Sequence, residues 1–121
     1  MGARTTWAIK TEEGDAVTWL YSHWGGDNKL ADTKHALAQA EPRWGDTTYG
    51  ARIFISQIIG ANWDSETGFG ITSGTADNCP FEESYDYVTV DFTTKLISYG
   101  PFTFGFSEFL GLGSELESAG A

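Results

Sequence analysis

The chain has 121 residues and a mass of 13.2 kDa, enough for one domain and too little for two. Apolar residues make up 40% and aromatics 15%, which excludes a disordered chain, and the single cysteine, Cys79, excludes a disulfide framework or a cysteine-rich zinc site. Seventeen acids against seven bases give a net charge of −10, which disfavours direct binding to nucleic acid or to an anionic membrane. The opening residues, Met1 to Thr6, lack the apolar core of a signal peptide, and no apolar run approaches the roughly 20 residues of a membrane span. A cytoplasmic protein is expected.

Thr5 to Lys10 and Ala16 to Tyr21 read as strands, with Trp7 and Ile9 on one face of the first. Glu12-Glu13-Gly14-Asp15 between them is a turn, so residues 4–22 are expected to form a hairpin. The loop Ser22 to Asn28 leads into a helix from about Lys29 to Ala40, whose Leu30, Thr33, Leu37 and Ala40 share one face. Glu41-Pro42 ends it, because the residue before proline avoids the α region. Asp46 caps a second helix in which Ala51, Phe54, Ile55, Ile58 and Ile59 form an apolar stripe, closed by Gly60. Gly68 to Thr72 reads as a short strand and 73–86 as polar loop. Tyr87 to Phe92 and Lys95 to Tyr99 are expected to pair as a second hairpin. Phe102 to Leu110 is aromatic, with one helical turn capped by Ser107. The expected class is α+β: an antiparallel sheet built from two hairpins, with a central pair of helices packed on one face. Residues 1–110 would form the single domain and 111–121 a flexible tail.

Charge is unevenly placed. Residues 1–52 hold seven acids and six bases; residues 53–121 hold ten acids and one base, Lys95. From Ile53 to Thr94 there is no Lys or Arg. That stretch is either a solvated surface or an acidic face that docks on a basic partner or imitates nucleic-acid phosphates. In the first half, His23 and Trp24 precede Gly25-Gly26, a turn whose N–H groups can meet an anion. Trp24 and Trp44 can stack on a flat ring, and Arg43 and Arg52 can grip phosphate. His23, Trp24, Gly25, Gly26, Arg43, Trp44 and Arg52 are therefore the candidate ligand site. The competing reading is a tight turn with Trp24 in the core and Arg52 on the surface. His23, Asp27, Asp32 and His35 match no metal-ligand spacing, and no nucleophile elbow or cofactor fingerprint is present. No metal, no cofactor and no catalytic residue are expected.

Tyr21-Ser22-His23-Trp24-Gly25-Gly26, the run Arg43 to Ile53 and Glu66 to Ile71 give a resemblance over roughly residues 5–110. The chain resembles a group of small proteins of actinobacterial bacteriophages and their hosts, a group with no catalytic residues to carry over. The resemblance implies a phage-encoded accessory protein acting in the host cytoplasm, a context in which interference with host defence is common. Three readings follow. One is sequestration of a small anionic, nucleotide-like ligand without turnover. Another is an acidic inhibitor or nucleic-acid mimic docking on a basic host protein. The last is a virion structural or assembly protein. The number of Trp and Tyr side chains further predicts a homo-oligomer.

Overall fold

The computed structural model describes residues 5–23, 29–80 and 87–112. The chain forms β1 (Thr5–Lys10), β2 (Ala16–Ser22), α1 (Lys29–Gln39), α2 (Thr47–Ile59), β3 (Phe69–Thr75), β4 (Val88–Asp91), β5 (Leu96–Tyr99), β6 (Phe102–Gly105) and α3 (Phe106–Gly111). Short 3-10 turns at Glu41–Arg43 and Gly60–Asn62 flank α2. The class is α+β, with one six-stranded sheet in the order β3-β2-β1-β4-β5-β6. Among the described residues no helix is long and apolar enough to cross a membrane.

The sheet is mixed, which corrects the expected all-antiparallel one. β1 pairs antiparallel with β2 but parallel with β4, in the register Trp7 to Val88 and Ile9 to Val90. The reason lies in β3, which occupies the outer edge of β2 and leaves the chain at the end of the sheet where β1 also finishes. β4 begins at the other end, where Val88 pairs with Trp7, so it runs the same way as β1. A sixth strand, β6, is also present. It turns back from β5 at Gly100-Pro101, where Gly100 takes a φ of +57°. Its Phe102-Thr103-Phe104 alternation was hidden by the surrounding aromatics.

Both faces of the sheet carry apolar side chains. Trp7, Ile9, Leu20, Val88, Val90 and Ile97 share a core with the inward residues of α1, α2 and α3. The alternate residues Ala8, Val17 and Trp19 form a second, smaller core with Ala76, Cys79 and Tyr87 on the opposite face. Trp19 is fully buried there and meets Tyr87 edge-on at 5.0 Å. The polar loop after β3 thus supplies cover at its described ends; Glu82, Glu83 and Asp86 lie outside the described residues.

Local chemistry explains the element ends. Asp46 is extended and its carboxylate accepts the N–H of Tyr49 at 3.2 Å, which caps α2. In α3 the first cap is Gly105 rather than Ser107, and the Glu108 carboxylate accepts the Gly105 N–H at 3.2 Å. Asp91 closes the β4–β5 turn by accepting from the Thr93 N–H, the Thr93 hydroxyl and the Thr94 N–H. Partial burial pushes the Asp91 carboxyl up, but these hydrogen bonds outweigh it and hold the group below the usual carboxylate range.

Candidate functional site

The seven candidate residues fall into three groups. Trp24, Gly25 and Gly26 lie outside the described residues, as do Asp27 and Asn28. His23 follows β2, its N–H donates to the Gly68 carbonyl at 2.8 Å, and its Nδ1 lies 3.0 Å from the Tyr21 hydroxyl. This places it at the end of the sheet where β1 starts, since Ser22 pairs with Thr5. Arg43 and Trp44 sit in the turn between α1 and α2, at the opposite end. Trp44 packs edge-on against Phe106, whose N–H donates to Lys95, and the neighbouring Phe92 N–H donates to Lys10 at the close of β1. The two ends are separated by the length of β1, about 16 Å at strand rise. The fold therefore does not bring His23 together with Arg43 and Trp44.

Trp44 is also committed to packing. Its indole N–H donates to the Leu37 carbonyl at 3.0 Å and its ring joins the main core. Arg43 instead gathers with α2. Its guanidinium lies over the Tyr49 ring, 5.4 Å from the centroid, and Arg52 stands one helical turn beyond Tyr49. Both arginines and Tyr49 are exposed. Arg43, Tyr49 and Arg52 thus lie exposed on the same stretch of surface, with the Asp46 carboxylate beside them at the start of α2; Tyr49 was not among the candidate residues. A cation three residues from an aromatic on a helix was the available signal.

The acids show a different arrangement. Ala76 N–H donates to the Asp15 carbonyl at 2.8 Å, which holds the end of β3 against the β1–β2 turn. Exposed Glu12, Glu13 and Asp15 of that turn are thereby set beside exposed Asp77. Asp64 and Glu66, also exposed, precede β3 at its other end. Neither β2 nor β3 carries a Lys or Arg. The sequence divides these acids between its two halves, whereas the fold joins them along the β2–β3 side.

Beside Asp64 and Glu66 lies a cleft of about 180 Å³ with a mixed polar and apolar lining, formed by Ile59, Asn62, Trp63, Ser65 and β3 residues Phe69 to Ile71. Trp63 and Ile71 are half exposed there, at 52% and 49%. Among the described residues no group of three or more His, Cys, Asp or Glu side chains is arranged to hold a metal ion. On α1, Asp32 and His35 interact; burial pushes the Asp32 carboxyl up, and the His35 ring partly offsets this.

The chain matches no protein-family model, no curated protein and no solved structure.

Proposed function

We propose that this is an accessory binding protein that docks its acidic β2–β3 side on a basic partner protein and performs no chemical turnover. The observation that carries the reading is the union of Glu12, Glu13 and Asp15 with Asp77, through the Asp15–Ala76 hydrogen bond. Four exposed acids on one rim, against the single Lys10 at the end of β1 and no base on β2 or β3, give a field that attracts a basic surface and speeds association. In the context the resemblance implies, the partner is a host defence protein with a basic nucleic-acid site, and the protein acts in the host cytoplasm. A homo-oligomer is a separate proposal that this reading does not need, because Trp7 and Trp19 are taken up by the two cores; light scattering at high concentration tests it.

A second reading rests on the Arg43–Tyr49–Arg52 patch, which supports capture of a small anionic ligand. One experiment separates the two. Partner capture from host extract is compared for wild type, for the combined variant Glu12→Gln, Glu13→Gln, Asp15→Asn, Asp77→Asn, and for Arg43→Ala, Arg52→Ala. The docking reading expects the acid variant to lose capture at least tenfold, with capture falling steeply as salt is raised. Capture that survives in the acid variant and vanishes in the arginine variant would replace it with the second reading.

A further inference from the structure

The two edges of the sheet are treated differently. β6 is short, with four residues, and the N–H of its last residue, Gly105, is covered by Glu108 of α3. β3 has seven residues, Phe-Gly-Ile-Thr-Ser-Gly-Thr, with no charge and no proline, and most of them are exposed. A long, uncharged edge is the kind that proteins usually blunt, because its unpaired backbone groups recruit another strand.

Among the described residues no strand pairs with the outer side of β3, and the register identifies which of its groups face that side. His23 donates to Gly68 and Ala76 donates to Asp15, so the directly opposed pairs 23/68 and 15/76 are the hydrogen-bonded ones. Alternation then turns the backbone groups of Gly70, Thr72 and Gly74 inward to β2, and those of Ile71 and Ser73 outward. Ile71 and Ser73 lie on the same sheet face as Leu20, the face of the helices. An added strand would place its paired side chains on that face, beside the Trp63–Ile71 cleft.

We propose that the β3 edge is a strand-addition site for an extended peptide segment of the partner, antiparallel to β3, apolar at alternate positions and basic at both ends. The inference rests on the docking reading above and specifies how it is achieved. The ends of the site carry Asp64 and Glu66 before β3 and Asp77 after it. These acids select against a second copy of this chain. Self-pairing about Thr72 would bring Asp77 of one copy beside Glu66 of the other, like charge against like, in a protein of net charge −10. A segment with Lys or Arg at its ends meets the same acids favourably. On the opposite face a Cβ on Gly74 would lie 3.1 Å from the Trp19 ring, so that ring underlies β3 at this position.

The test uses the full chain, labelled with nitrogen-15, and the synthetic peptide Lys-Lys-Thr-Val-Thr-Val-Thr-Val-Thr-Lys-Lys with blocked termini. Saturable binding is expected, with the largest amide shifts at Ile71 and Ser73 and their hydrogen exchange slowed at least tenfold. The Glu-flanked version should bind at least tenfold more weakly. N-methylation at alternate peptide amides should abolish binding, a control that leaves the protein untouched. Binding of the Lys-flanked peptide with Ile71 and Ser73 unperturbed would overturn strand addition while leaving acidic docking standing. Equal binding of the Glu-flanked peptide would overturn the basic occupant. Concentration-dependent shifts of Ile71 and Ser73 without peptide would assign the edge to a second copy instead. Absence of any binding, with partner capture still abolished in the acid variant, would likewise remove the edge and keep the docking reading.

Discussion

Thr33 shows how one side chain ties a helix to the sheet. Its hydroxyl donates to the Lys29 carbonyl within α1 and, in the buried interior, accepts the indole N–H of Trp7 from β1 at 2.8 Å. Helical spacing alone places Thr33 on the inward face, but its partner 26 residues upstream is decided only by the packing. Thr5 makes a useful contrast, since its hydroxyl is buried with no hydrogen-bond partner among the described residues. Thr33→Val should cost about 1–3 kcal/mol by urea denaturation, because it leaves the Trp7 N–H buried and unpaired. Thr5→Val should be neutral or stabilising in the same measurement, since it removes a polar group that had no partner. Equal losses at the two sites would mean that the Trp7–Thr33 bond contributes nothing beyond shape.

At the scale of elements, α2 is the segment whose sequence and structure agree most closely. Asp46 begins it, and of the apolar stripe Ala51, Phe54 and Ile59 are buried while Ile55 and Ile58 pack at the margin of the core. What the stripe does not disclose is the role of Gly50. A Cβ there would lie 2.6 Å from the Arg43 carbonyl oxygen and 3.0 Å from the Phe92 ring. The glycine lets the first turn of α2 close on both the preceding turn and the end of β4. Intrinsic propensity favours alanine over glycine inside a helix by about 1 kcal/mol. The close approach should reverse that sign, so Gly50→Ala is expected to destabilise the protein by about 1–3 kcal/mol in chemical denaturation. A gain in stability would show that α2 is free to move away from Arg43 and Phe92.

On the scale of the whole molecule, β1 is the strand on which the fold depends. It pairs with β2 on one side and with β4, roughly 80 residues later, on the other. Residues 1–80 contain β1, β2, both long helices and β3, yet without β4 and β5 the inward side chains Trp7, Ile9 and Phe54 lose Val88, Val90, Phe92 and Ile97. That fragment should therefore fail to fold, giving collapsed, poorly dispersed amide resonances; a well-dispersed spectrum would show that the domain divides there. Strand and helix positions were legible because side-chain periodicity and capping act over a few residues. The mixed sense of the sheet, the second core around Trp19 and the separation of His23 from Arg43 were not. Strand edges are backbone groups that look alike in every sequence, so which edge meets which is decided by the global burial of Trp7, Trp19 and their neighbours. The same holds for function: composition by itself determined that the protein is strongly acidic, with no base from Ile53 to Thr94. Only the tertiary structure set Asp15 beside Ala76 and so joined the acids of the first turn to Asp77 along one open strand, because a hydrogen bond across 61 positions has no local signature.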